Sequence, residues 1–174
     1  RKHKRKTMTK ENNIILDTVQ IDQKIKRIAY QIYESNSDEK EVVIAGITGN
    51  GYIFAEKLVK VLSEISDLKL TICLVNINKK NPLDIVTTTL AVDDYKNKSL
   101  VLVDDVLSSG NTLIYGVKHF LEVPLKRFKT AVLVNRNHKK YPVKADFKGV
   151  SLSTSIKEHV QIDFLEDESV AYLL

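Results

Sequence analysis

The run from Val101 to Leu113, VLVDDVLSSGNTL, restricts this chain more than any other feature. Three apolar residues lead straight into Asp104 and Asp105. An apolar run of this kind reads as a buried parallel strand, and carboxylates seldom close a core strand unless something pairs with them. At a strand end the backbone can turn both acids toward a crevice. There they can accept hydrogen bonds from a vicinal diol, or hold Mg2+ directly or through its waters.

The residues that follow have the opposite polarity. Ser108, Ser109, Gly110, Asn111 and Thr112 are small or turn-forming and precede a helical segment. Gly110 lets the backbone curl, successive N–H groups can face one point, and a helix N-terminus adds partial positive charge. Three hydroxyls complete a cradle suited to a phosphate monoester. Alone, SSGNT would read as an ordinary Ser or Asx turn with a cap. Acids for a sugar beside amides for its phosphate describe a ribose 5-phosphate pocket, with Asp104 and Asp105 as the catalytic and Mg2+-holding pair.

Apolar spacing organises the rest. Ile21, Ile25, Ile28 and Ile32 form one stripe of an amphipathic helix. EVVIAGI reads as a buried strand, residues 52–65 regain helical period, and residues 70–77 form the next strand. The stretch DIVTTTLAVDD is either a strand or an extended loop. SLVLVDD is a strand, the helix after LSSGNT runs to about Phe120, and KTAVLVN is another strand. NIIL near the start reads as a short strand or a packed arm, and VKADFKGV and VQIDF suggest short strands in a smaller subdomain. Strand, glycine turn and helix alternate, which predicts an α/β fold with a mostly parallel sheet flanked by helices. Functional residues are expected beyond the C-terminal strand ends.

A second glycine turn, GITGNG, joins the strand VVIA to a helix. It lacks the GxGxxG spacing of dinucleotide folds, and no GxxxxGK(S/T) loop occurs. As a tight connection it needs no ligand. Paired with the first loop it becomes a second anion site, in which Ile47, Thr48, Gly49 and Asn50 bind a pyrophosphate. It has no lysine or arginine of its own.

Charge and cysteine content limit the function classes. The net charge of +5 belongs to the start of the chain: residues 1–10 hold six Lys/Arg and no acid. The rest carries 21 Lys/Arg against 22 Asp/Glu, a net −1. The tail suits nucleic acid or an anionic membrane surface, or is simply solvated. The near-neutral body generates no general basic field. The one cysteine, Cys73, lies in the apolar run LTICLV, so it is expected to be packed, in a reducing, cytoplasmic compartment. No apolar run approaches a membrane span. His3, His119, His138 and His159 have no zinc-binding spacing.

VLVDDVLSSGNTL resembles the phosphoribosyl diphosphate (PRPP) motif of type I phosphoribosyltransferases. NIILD, RIAYQIYESN, GITGNGYIFAEKL and AVLVNRNHKKYPVKADFKGVSLSTS extend the resemblance over nearly the whole chain, toward the PyrR-type pyrimidine regulators with uracil phosphoribosyltransferase activity. The resemblance implies a twisted sheet with a small hood, formed from roughly residues 136–165 with the N-terminal segment, in a single domain over 11–174 behind the basic tail. It implies PRPP as substrate with Mg2+, a nucleobase or UMP as the second ligand, and a homodimer or larger homo-oligomer. It also implies base-binding roles for Arg136 and the backbone from Val143 to Asp146, with His138 in the same segment.

The chain departs from that pattern in three places. GITGNG lacks the arginine of the GIxTRG-like turn, Asn135 replaces an acid before Arg136, and LVNINKKNPLDIV replaces a longer YRDD-like mobile loop. Lys79 and Lys80 could supply charge there, or form a solvated turn. Two functions fit: transfer of ribose 5-phosphate from PRPP to uracil, or a UMP- or PRPP-sensing regulator of pyrimidine mRNA with weak catalysis. RNA binding by the body would draw on Lys24, Lys26, Arg27, Lys126, Arg127, Lys129, Lys139 and Lys140.

Overall fold

The computed structural model describes residues 13–155 and 158–174. The basic tail at 1–10 lies outside the described residues.

Strand β1 (Ile14–Leu16) leads into helix α1 (Thr18–Ser35). Asp17 caps this helix: its carboxylate accepts the Gln20 N–H at 2.8 Å, and the Gln20 side chain accepts the Asp17 N–H at 3.0 Å. Such a reciprocal box contributes about 1 kcal/mol. The predicted isoleucine stripe is fully buried against the sheet. Each of its side chains contributes about 1.5–3 kcal/mol relative to exposure.

Strand β2 (Glu41–Ile47), helix α2 (Asn50–Ile65) and strand β3 (Lys69–Asn76) follow the predicted alternation. The ambiguous stretch after them resolves into a two-residue strand, β4 (Thr87–Thr88), and a single helical turn, α3 (Val92–Tyr95). Next come β5 (Ser99–Leu107), α4 (Asn111–Phe120), β6 (Arg127–Arg136) and β7 (Phe147–Leu152). Strands β8 (Val160–Phe164) and β9 (Ser169–Leu173) close the described chain.

Six strands form one sheet in the order β4-β3-β2-β5-β6-β7, parallel except for the antiparallel edge strand β4. The three others form a small antiparallel sheet, β1-β9-β8. This corrects the predicted hood. Phe147–Leu152 is not in the smaller subdomain: Ala131 to Arg136 pair with it in register, making it a strand of the large sheet. The small sheet instead uses the C-terminal strand β9, beyond the expected boundary.

Two buried clusters cover the large sheet, one packed by α1 and α2, the other by α4 and Tyr95. The winding reverses between β2 and β5, since β3 lies on one side of that pair and β6 on the other. A crevice opens at such a reversal, beyond the C-terminal strand ends. Both glycine turns follow these two strands. Among the described residues, no helix is long and apolar enough to cross a membrane.

Candidate active site

The acid pair is not at a strand end as expected but inside β5. The β2–β5 ladder stops at Gly46 and Val103, whereas β6 continues pairing as far as Leu107 with Asn135. Asp104 and Asp105 therefore sit where one neighbouring strand has ended and the other still holds the backbone. That arrangement opens one side of β5 without freeing the chain.

Both acids line a cavity of about 320 Å3, together with the whole run from Val106 to Leu113. Asp104 is only 4% exposed. Its Oδ1 accepts the Asp105 N–H at 2.9 Å and lies 3.5 Å from Lys79 Nζ. Burial, and then the Asp105 charge, push the Asp104 carboxyl well above the usual carboxylate range, while Lys79 draws it down. Lys79 was one of two lysines expected either to supply charge or to be solvated. The structure turns it to the acids across β2; Lys80 instead has its N–H bound to Asn78 in an exposed turn.

Ser108, Ser109, Gly110, Asn111 and Thr112 line the same cavity. Gly110 has φ 87°, a left-handed conformation that L side chains seldom adopt, and it opens α4. The Ser109 hydroxyl accepts the Asn111 N–H at 3.2 Å, and the Ser109 carbonyl accepts the N–H groups of Lys140 and Tyr141. The loop is thus held from behind while its helix N-terminus faces the cavity. Acids at one end and main-chain donors at the other suit a hydroxylated anion.

The first glycine turn offers less than expected. Ile47 is buried within β2, in register with Val75. Thr48 gives its N–H at 2.9 Å and its hydroxyl at 2.8 Å to the Val75 carbonyl. Asn50 gives its side-chain amide to the Ile162 carbonyl at 2.8 Å, tying the turn to the small sheet. Gly49 and Asn50 keep main-chain donors at the start of α2. None of the four lines the cavity.

Near the hood, Val143, Asp146 and Arg136 are engaged within the protein. Val143 packs against Gly110, where an added Cβ would meet its Cγ1 at 2.7 Å, and residues 143–146 are absent from the cavity wall. Asp146 is bound to Thr130, accepting its N–H at 2.9 Å. Arg136 does line the cavity, but its guanidinium is engaged with Ser108, Thr154, Ser155 and Glu158 rather than held free for a base edge. His138 donates from Nε2 to the Thr154 carbonyl.

The remaining wall is His159, Val160 and Gln161, which local pattern reading did not single out. Their only sequence signal is their place at the start of the short strand VQIDF. The small sheet folds back over the crevice, and Leu174 exchanges main-chain hydrogen bonds with His159.

The Phosphoribosyl transferase domain family matches residues 11–167. The "Bifunctional protein PyrR" of Macrococcus caseolyticus is 29% identical over 174 residues, covering 94% of this chain and 99% of that protein. The same-named protein of Streptococcus pyogenes is 32% identical over 155 residues, covering 87% and 90%. In fold, the chain is similar to the hypoxanthine phosphoribosyltransferase of Trypanosoma cruzi, with a TM-score of 0.73 at 15% identity over 92% of this chain and 95% of that one. A hypoxanthine-guanine phosphoribosyltransferase of Bacillus anthracis gives a TM-score of 0.70 at 21% identity over 85% and 86%.

Proposed function

The chain belongs to the phosphoribosyl transferase domain family, and on that premise we propose that it transfers ribose 5-phosphate from PRPP to uracil, giving UMP and pyrophosphate. The observation that carries this reading is that Asp104, Asp105 and residues 108–112 all line one cavity. The acids accept hydrogen bonds from the ribose 2′- and 3′-hydroxyls and favour the positive charge that develops at C1. The 108–112 amides and hydroxyls hold the 5′-phosphate. With both ends of the sugar fixed, C1 meets the base in one orientation.

Two carboxylates opening onto one cavity fit a Mg2+ ion whose other ligands are waters and substrate oxygens. When bound, Mg2+ would neutralise charge on the departing pyrophosphate. Lys79, beside both acids, would meet that group as it leaves. The base rests against His159, Val160 and Gln161. A homodimer or larger assembly in the cytoplasm is part of this proposal.

A second reading, a nucleotide-sensing regulator of pyrimidine mRNA that turns over slowly, is favoured by the first turn. Thr48 has both donors committed to Val75, which leaves pyrophosphate few partners. The basic residues named for RNA are partly engaged as well: Lys126 pairs with Glu39 at 2.8 Å, Arg127 with Asp38 at 3.2 Å.

Incubation with PRPP, Mg2+ and either uracil, hypoxanthine or guanine separates the readings. UMP formation from uracil supports transfer. Tight UMP binding without turnover supports the regulator, and turnover only of a purine overturns the uracil assignment. An RNA gel shift that survives removal of residues 1–10 would place RNA on the body.

A further inference from the structure

Arg136 stands at the C-terminal end of β6 and is only 5% exposed, yet among the described residues its hydrogen-bond partners are all neutral. Nε donates to the Thr154 hydroxyl at 2.9 Å and Nη1 to the Ser108 hydroxyl at 3.1 Å. Nη2 donates to the carbonyls of Ser155 at 3.1 Å and Glu158 at 2.6 Å. Among the described residues it makes no ion pair with a carboxylate. A cation withdrawn from water against neutral acceptors alone is costly unless an anion completes it. The cavity's own acids do not serve, because Lys79 lies against them.

The bond to Ser108 has a directional consequence. A guanidinium has no acceptor, so the Ser108 oxygen must be the acceptor in that pair. The hydroxyl proton is then left to point elsewhere: Ser108 lines the cavity, and among the described residues its O–H meets no acceptor. A charged donor at one lone pair also makes that O–H a stronger donor. The other arms of the guanidinium hold residues 154, 155 and 158, next to the wall made by His159, Val160 and Gln161.

We propose that Arg136 is a positioning residue that selects for the phosphorylated form of the ligand. It fixes Ser108 as a donor toward a phosphate monoester, supplies that end of the cavity with its buried positive charge, and braces the hood wall from the same point. The inference rests on the nucleotide reading of the cavity but assigns Arg136 to the phosphate end and not to the base edge.

Calorimetric binding of UMP, uridine and uracil to the full chain and to Arg136→Gln, Arg136→Lys and Ser108→Ala tests it. In Arg136→Gln, UMP affinity should fall by roughly 30-fold, the scale of a hydrogen bond involving a charged group. Uridine should lose only what the bracing of the hood wall supplies, a much smaller fall, so the UMP/uridine ratio collapses. Arg136→Lys should recover part of that ratio. Ser108→Ala combined with Arg136→Gln should lose less than the two single losses multiplied, because the two residues act through one contact. Equal losses for UMP and uridine, or an unchanged UMP/uridine ratio, would overturn the proposal.

If Arg136→Gln does not fold, Ser108→Ala decides by thermal shift with inorganic phosphate as probe. Phosphate should protect the native chain more than the Ser108→Ala protein, and equal protection counts against the proposal. Asp104→Asn separates this idea from the pocket reading on which it rests. If UMP binds that variant as well as the native chain, the ribose assignment fails whatever Arg136 does.

Discussion

Lys79 Nζ lies 3.5 Å from Asp104 Oδ1 and 4.0 Å from Asp105 Oδ1, so one ammonium spans two sequential carboxylates from beyond an intervening strand. Lys79 is 44% exposed and remains hydrated, whereas Asp104 is buried. The contact therefore adjusts the charge of the acid more than it stabilises the fold. Without Lys79, only the Asp105 N–H still opposes burial and the Asp105 charge, and the Asp104 carboxyl holds its proton to higher pH. Lys79→Met should move the acid limb of PRPP binding upward in pH and weaken neutral-pH binding by about tenfold, the scale of one lost charged contact. Lys79→Arg should keep the native limb. Calorimetric titration over a pH series reads both, and an unmoved limb in Lys79→Met would show that the ammonium does not govern the acids.

Asp104 itself should trade stability for binding. Its folded-state value is raised, so the folded protein binds this proton more tightly than the unfolded chain. The stability this supplies is complete below the ordinary carboxylate range and is lost as pH rises through the raised value. Asp104→Asn keeps an oxygen for the Asp105 N–H and removes the buried charge. It should gain about 1–2 kcal/mol at neutral pH, raising Tm by roughly 2–8 °C, while abolishing PRPP binding. In acid the two proteins should melt alike. A variant that melts below the native chain at neutral pH would contradict the assignment.

Gly51 and Gly49 should respond differently to the same added methyl. A Cβ at Gly51 would lie 2.8 Å from Asp104 Oδ1 and 3.2 Å from both Asp104 Cα and the Val103 carbonyl. Gly51→Ala must lift α2 from β5 or displace the Asp104 side chain, at a cost of about 1–3 kcal/mol and most of the UMP affinity. At Gly49, with φ 88°, nothing lies within 4 Å of the added atom. Gly49→Ala should cost only its positive-φ backbone (ψ −135°, a conformation nearly confined to glycine), about 1–3 kcal/mol, and leave UMP binding near native. Denaturant melts beside UMP titrations distinguish the two.

Cys73 offers a probe of opening. It lies buried on β3, and burial pushes its thiol above the ordinary value. Thiol reagents should therefore label it only as fast as the sheet unfolds, and saturating UMP should slow labelling by stabilising the folded state. Rapid labelling of the native protein would mean that β3 opens locally.

The alternating elements, the mostly parallel sheet, and the two glycine turns that follow β2 and β5 are legible in the residue pattern alone. So is the contiguous stretch from Asp104 to Thr112. These depend on apolar period and on turn chemistry within a dozen residues, where neighbours in sequence are neighbours in space. That the acids lie inside β5 is set by the folded sheet, because it depends on β2 ending its pairing sooner than β6. Folding alone turned Lys79 onto those acids, committed Thr48 to Val75, gave β7 to the large sheet, and set Arg136 among Ser108, Thr154, Ser155 and Glu158. Each of these relations joins residues far apart in the chain or assigns a strand by its register, and local residue pattern carries no record of either.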